Sequence, residues 1–254
     1  GKAADIFFTG EAKAVRAALQ ALPGAIDVIV QRQAAREKKL LVADMDSTMI
    51  TIECIDELAD YAGIKPQIAE VTERAMRGEL DFAEALKARV ALLAGLDEAM
   101  IERCRAERVR IMPGAKALIQ TLRARGCHTV LVSGGFTRFA EPVGKEIGFH
   151  KVVANVLDIA CGALSGTVQF PIVDSARKKT ELEQGLVQLA LDPGQSIAIG
   201  DGANDIPMIE AAGLGVAYHA KEKTRAAADA EIRHGDLSAL LYAAGIVRTG
   251  WVES

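Results

Sequence analysis

Residues 40–50 read LLVADMDSTMI. An unbroken apolar run ends in two aspartates, Asp44 and Asp46, two positions apart. A short apolar run without alternation reads as a strand buried on both faces, as in a parallel sheet. A carboxylate at the end of such a strand is costly to desolvate, and a second one nearby adds repulsion. The pair therefore calls for a positive partner, either a metal ion or a cationic side chain. A turn or helix-cap pair of aspartates would look the same in this stretch alone.

Similar apolar runs recur at 128–133 (HTVLVS), 151–154 (KVVA), 196–201 (SIAIGD) and 214–218 (LGVAY). Helical patterns lie between most of them, as at 115–126 and 179–191. This alternation predicts an α/β fold, a Rossmann-like parallel sheet with helices on both faces. Ligands of such sheets bind beyond the carboxyl ends of the strands, and Asp44, Ser133 and Asp201 all fall at such ends. Residues 51–111 break the alternation. They are helical by period, with Ile55, Leu58, Ala59 and Ala62 as one apolar stripe and Ile68, Val71 and Ala75 beginning another. A small helical cap inserted after the first aspartate pair is expected, with the MPG at 112–114 marking the return to the core. Residues 155–173 suggest a β-hairpin flap turning at Cys161-Gly162-Ala163. Residues 5–30 read as strand, helix and strand. The chain opens at Gly1 without a methionine, as a trimmed sequence would.

The chain has 254 residues, enough for a core and a smaller second unit. Its net charge of -4 argues against a broadly basic nucleic-acid surface, though not against a local anion pocket. The apolar stretch LSALLYAAGIV near the C-terminus is too short to span a bilayer, and the N-terminus lacks a signal-peptide pattern. Cys54, Cys104, Cys127 and Cys161 show no CxxC spacing, so reduced thiols in a cytoplasmic protein are expected. No HExxH or similar histidine spacing is present.

Three further stretches carry chemistry. Gly200-Asp201-Gly202-Ala203-Asn204-Asp205 combines a sharp turn with two hard oxygen donors of the kind magnesium prefers, and Asn204 adds a neutral amide. It lacks the spacing and terminal glutamate of an EF-hand loop. Ser133-Gly134-Gly135-Phe136 offers a hydroxyl and free N–H groups to phosphate oxygens. It is neither a P-loop nor a GxSxG elbow, since Leu131 stands where that elbow needs glycine. A lysine, Lys178 or Lys179, opens a helix after the hairpin, where a solvated surface charge would be the ordinary reading. In the insertion, Asp81 and Glu84 form a capping-box pattern that starts a helix at Phe82. Phe82 and Arg89 then share a face with Leu86 and Leu93. An arginine on an apolar face has either a binding role or a stem lying over the core.

In this order the motifs resemble those of the haloacid dehalogenase superfamily of phosphotransferases. The DxDx[TV] motif is met by Asp44, Asp46 and Thr48, the strand-end hydroxyl by Ser133, the lysine by Lys178, and GDxxxD by Gly200, Asp201 and Asp205. The resemblance covers roughly residues 40–235. Within the superfamily, DMDSTMI, SGGF, GDGANDIPMI and ECIDELAD are most similar to the phosphoserine phosphatase family. That resemblance implies a core formed by 36–50 and 112–254, a helical cap at 51–111, and 1–35 as a βαβ-like part of an incomplete regulatory domain. It implies hydrolysis of phosphoserine through an aspartyl-phosphate, as the last step of serine biosynthesis. Asp44 would be the nucleophile and Asp46 the acid/base. Mg2+ would sit on Asp44, Asp201 and the main-chain carbonyl of Asp46, with Asp205 supporting it directly or through water. Ser133, the Gly134 N–H and Lys178 would hold the phosphate, with Asn204 nearby. Glu53 would take the substrate's ammonium and Arg89 its carboxylate, with Met76 and Phe82 closing over it. The expected partner is a small phosphorylated amino acid, with neither nucleic acid nor membrane, and a homodimer stays open. A phosphotransferase of the same superfamily, a receiver-type phospho-aspartate domain and a scaffolding domain are the competing readings.

Overall fold

The computed structural model describes residues 2–252. Its strands are β1 (Leu40–Ala43), β2 (His128–Phe136), β3 (Lys151–Asn155), β4 (Leu157–Ala160), β5 (Ala163–Val168), β6 (Ser196–Gly200), β7 (Gly215–Tyr218) and β8 (Ala230–Ile232). Six of them make one parallel sheet in the order β3-β2-β1-β6-β7-β8, while β4 and β5 pair antiparallel as a hairpin. The expected parallel α/β architecture is thus present. β1 is central and fully buried. Leu40 and Val42 pack with Leu182 and Met208 on one face. Leu41 and Ala43 pack with Leu118, Ile119, Phe139 and Val143 on the other. The period-two alternation of a strand thus feeds two helical layers from one apolar run.

The helices are α1 (Ala12–Gln20), α2 (Cys54–Tyr61), α3 (Lys65–Met76), α4 (Phe82–Ala91), α5 (Ala99–Arg108), α6 (Ala115–Ala124), α7 (Thr137–Ile147), α8 (Ser175–Gln188), α9 (Ile206–Ala211), α10 (Glu222–Ala227) and α11 (Ala239–Ala243). From β1 the chain builds β2 and β3 to one side, then crosses to β6, β7 and β8 on the other. The reversal point lies between β1 and β6, where Ala43 is in register with Ile199. A crevice at the carboxyl ends is expected there, and Asp44 and Asp201 emerge into it.

Helices α2 to α5 form the insertion between β1 and β2. Its two ends meet at an antiparallel bridge between Ile50 and Ile111. Main-chain bonds flank the bridge, from Thr51 N to Arg110 O at 3.0 Å and from Met112 N to Met49 O at 2.9 Å. The β4–β5 hairpin turns through Cys161 (φ 52) and Gly162 (φ 79). Two positive φ values in a two-residue loop match the right-handed twist of the strands. The hairpin is bonded to the insertion by Gly95 N to Leu164 O and Leu164 N to Leu96 O, both 2.8 Å, and by Glu98 N to Gly162 O at 2.9 Å.

The strand–helix–strand expectation for residues 5–30 is corrected by the structure. Only α1 forms there, and the flanking runs pair with no strand among the described residues. A strand needs a ladder partner, and none lies beside these runs. The segment is held by polar anchors instead. Asp27 accepts from the N–H groups of Arg233 (2.7 Å), His234 (3.1 Å) and Gly235 (2.7 Å). Arg16 donates to Ala228 O at 2.9 Å, and Gln31 to Ala243 O at 2.7 Å.

Candidate active site

Asp44 directly follows β1 and continues its ladder, donating from its N–H to Ile199 O at 3.0 Å. Lys178 reaches it from the first turn of α8. The lysine is 1% exposed, and its Nζ lies 2.6 Å from Asp44 Oδ1 and 2.7 Å from Asp205 Oδ1. Between the two candidate lysines the fold selects Lys178, because Lys179 points outward to Glu183 at 3.6 Å. Asp205 Oδ2 accepts from the N–H groups of Asp201 (3.2 Å) and Gly202 (3.0 Å), which fastens the GDGAND turn. A Cβ on Gly200 would overlap the Asp205 carboxylate, so the first glycine of the turn is sterically required. Thr48 Oγ1 donates to Asp201 Oδ1 at 3.3 Å.

Carboxylate oxygens of Asp44, Asp201 and Asp205 all lie within 4.8 Å of one another. One ammonium faces this cluster, so negative charge is left in excess. Burial and Asp205 push the Asp44 carboxyl well up, against the pull of Lys178. Burial and Asp205 likewise raise Asp201 to about 6. Burial pulls the Lys178 pKa down, but the carboxylates of Asp205 and Asp44 outweigh it and raise it above the ordinary lysine value. Three hard oxygen donors with uncompensated charge fit a divalent cation of the magnesium type.

Removing the lysine should expose this repulsion. Lys178→Met is expected to destabilise the metal-free protein by about 3–5 kcal/mol, the cost of stranding buried charge. Added Mg2+ should restore part of that loss. Urea unfolding with chelator and with Mg2+ measures both, and an unchanged midpoint would show that Lys178 does not offset the carboxylates.

After Asp46 the chain folds back sharply. Ser47 is left-handed at φ 57, and the N–H groups of Thr48, Met49 and Ile50 all donate to Met45 O, at 3.2, 2.8 and 3.0 Å. The turn aims Asp46 into the cleft, where its Oδ1 is buried without a protein hydrogen-bond partner. Burial, then Glu53, raises the Asp46 carboxyl to about 7. Glu53 is exposed as a residue, but its carboxylate turns into the cleft mouth and accepts from Ser47 Oγ at 2.6 Å. Desolvation there raises its pKa.

Ser133 lies near the carboxyl end of β2, 1% exposed. Its Oγ accepts from Gly135 N at 2.9 Å. A Cβ placed on Gly135 would lie 3.1 Å from Asp46 Oδ2, and one on Gly134 would lie 3.1 Å from Phe82 Cζ. The Ser-Gly-Gly turn therefore separates Asp46 from the first residue of α4. The expected capping box is present, with Glu84 N to Asp81 Oδ1 at 2.8 Å and Asp81 N to Glu84 Oε2 at 2.9 Å. Two turns along α4, Arg89 is half-buried and donates to Ala85 O at 3.3 Å. Burial lowers its pKa, opposed by the charges of Asp56 and Glu53. Asn204 is half-buried against Gly202. Met76 ends α3 with 77% exposure, so its side chain is in solvent and closes over nothing in this conformation.

Asn155 belongs to this neighbourhood and has no motif of its own. It ends β3 at 1% exposure. Its Nδ2 donates to Gly134 O at 2.8 Å, and its Oδ1 accepts from Val173 N at 2.8 Å. A lone polar residue closing the apolar run KVVA was the one local signal for it.

The family model for haloacid dehalogenase-like hydrolases matches residues 41–210. A phosphoserine phosphatase of Mycobacterium tuberculosis is 46% identical over 231 residues, 90% of this chain and 56% of that protein. One from Albidiferax ferrireducens is 46% identical over 208 residues, 80% of this chain and 88% of its own length. The solved structure of a probable phosphoserine phosphatase from Vibrio cholerae superposes with a TM-score of 0.77 at 38% identity, covering 93% of this chain and 74% of that one. The chain thus spans little more than half the length of the mycobacterial relative. With its aspartate pair, lysine and GDGAND turn assembled at one sheet end, the chain belongs to the haloacid dehalogenase-like hydrolase family.

Proposed function

We propose that this chain is a Mg2+-dependent phosphatase that hydrolyses O-phosphoserine to serine and phosphate through an aspartyl-phosphate on Asp44. The supporting observation is the arrangement around Lys178, which holds Asp44 beside Asp205 at the end of β1, while Ser133 and Gly134 follow the register of the neighbouring strand β2. The insertion acts as a cap, and the enzyme works in the cytoplasm, in keeping with four free thiols. The named relatives support the choice of phosphoserine.

Asp44 attacks phosphorus while the bond to the serine oxygen breaks. Asp46 gives that oxygen a proton as it leaves. Asp46 then takes a proton from a water that attacks the aspartyl-phosphate, which frees Asp44 and phosphate. Ser133 Oγ, the Gly134 N–H and the Lys178 ammonium hold the remaining phosphate oxygens. Asp44, Asp201 and Asp205, with the main-chain carbonyl of Asp46, would hold Mg2+, which supplies charge that screens the dianion from its anionic nucleophile. Glu53 and Arg89 flank the mouth with opposite charges and receive the ammonium and carboxylate of the amino acid.

Phosphate release from O-phosphoserine, with and without added alcohols, tests the reaction. Free phosphate that alcohols do not diminish supports hydrolysis, transfer to the alcohol supports a phosphotransferase, and a phosphoprotein without turnover supports a receiver. Specificity is tested by Arg89→Ala. It should weaken phosphoserine use by about 1.5–3 kcal/mol in kcat/KM, the worth of a charge-assisted contact, and leave p-nitrophenyl phosphate almost unaffected. Equal losses on both substrates would make Arg89 a structural residue.

A further inference from the structure

We propose that Asn155 is a positioning residue that sets the phosphate-binding turn through the Gly134–Gly135 peptide, an inference that rests on reading Ser133 and Gly134 as the phosphate cradle. The carbonyl of Gly134 and the N–H of Gly135 are two ends of one planar peptide group. Asn155 Nδ2 donates to that carbonyl at 2.8 Å, and the N–H donates to Ser133 Oγ at 2.9 Å. Fixing one end of the plane fixes the other. Ser133 Oγ then already accepts a hydrogen bond, so its single proton is free to point at an incoming anion.

Among the described residues, the sheet register gives this peptide no partner. The β2–β3 register breaks between Val132 and Phe136, so the ladder skips the Ser-Gly-Gly turn. Two successive glycines also let the peptide rotate with little steric cost. Turned over, it would present the Gly134 carbonyl to Ser133 Oγ, which would then spend its single proton there instead of on an incoming anion. The buried amide of Asn155 replaces the missing ladder bond. It also ties the turn to the start of α8, because its Oδ1 accepts from Val173 N at 2.8 Å and its Nδ2 lies 3.4 Å from Val173 O. Asp174, the next residue, caps the helix that carries Lys178. One side chain thus aligns the hydroxyl side and the lysine side of the cradle without touching the substrate.

The test uses inorganic phosphate as inhibitor of p-nitrophenyl phosphate hydrolysis by the Mg2+-loaded chain. Asn155→Ala and Asn155→Asp should both raise the phosphate inhibition constant about tenfold. The aspartate can still accept from Val173 N, but it loses the Nδ2 donor to the Gly134 and Val173 carbonyls and sets a carboxylate oxygen against them. Mg2+ affinity by calorimetry should stay unchanged, since Asn155 does not meet the carboxylate cluster. In a Ser133→Ala background the loss from Asn155→Ala should shrink to about threefold or less, because the two residues act in series. Wild-type behaviour of Asn155→Asp, equal losses in both backgrounds, or parallel loss of Mg2+ affinity would each overturn the proposal. Should neither variant fold, exchange of the wild-type Gly135 amide decides, with slow exchange expected and fast exchange contrary. A wild-type chain that hydrolyses no p-nitrophenyl phosphate and binds no phosphate would sink the phosphatase reading as well. Inhibition that the Asn155 variants leave unaltered would sink this inference alone.

Discussion

Asp44→Asn is expected to fold, to bind phosphoserine and to release no phosphate. The amide is nearly isosteric with the carboxylate and can still accept from Lys178, which sits 2.6 Å from Oδ1. It lacks the charge needed to attack phosphorus. Loss of a covalent nucleophile costs on the order of 10^4-fold or more in turnover. Stability should move the other way. The Asp44 carboxyl is pushed up by burial and by Asp205, so a neutral side chain relieves repulsion. The metal-free variant should therefore melt no lower than the parent. Single-turnover phosphate release and thermal melting check both halves, with mass spectrometry to exclude deamidation back to aspartate. Turnover near the parent rate would move the nucleophile elsewhere.

Asp46→Asn should divide the reaction by leaving group. Asp46 has two proposed tasks, each typically worth about 100- to 10,000-fold. Serine alkoxide is a poor leaving group that needs a proton donor, whereas nitrophenolate leaves without one. With phosphoserine the first step should stall and no phosphoprotein should build up. With p-nitrophenyl phosphate the first step should survive while hydrolysis of the intermediate stays slow. Rapid-quench kinetics should then show a burst of nitrophenolate approaching one per site. The trapped phosphoprotein should be acid-stable and sensitive to hydroxylamine. The structure supports this division, since the Asp46 carboxylate faces the Ser-Gly-Gly turn and Glu53, while Asp44 faces Lys178. Absence of both burst and trapped species would make Asp46 a scaffold for the metal site.

Much of this protein was legible in its sequence because the signals are local. A strand buried on both faces must be apolar throughout, so LLVA, SIAIG and GVAY declared themselves. A capping box needs only Asp81 and Glu84 three residues apart. A two-residue hairpin turn needs only residues that tolerate positive φ, as Gly162 does. The candidate aspartates were visible for the opposite reason, being charges placed where a buried strand ends.

The tertiary structure decided what depends on residues distant in sequence. Composition alone does not separate Lys178 from Lys179; the motif resemblance pointed to Lys178, and the docking of α8 against β1 and β2 buries it beside Asp44, 134 residues away. Asn155 reads as an ordinary strand-end residue until β3 is laid along β2 and its amide meets Gly134. The three-residue β8 is too short to carry a period, and exists because β7 offers it a ladder. Residues 5–30 show the converse. Their strand pattern is real, but pattern supplies apolar faces, not hydrogen-bond partners, and without a neighbouring edge only the helix, which closes its own bonds, could form.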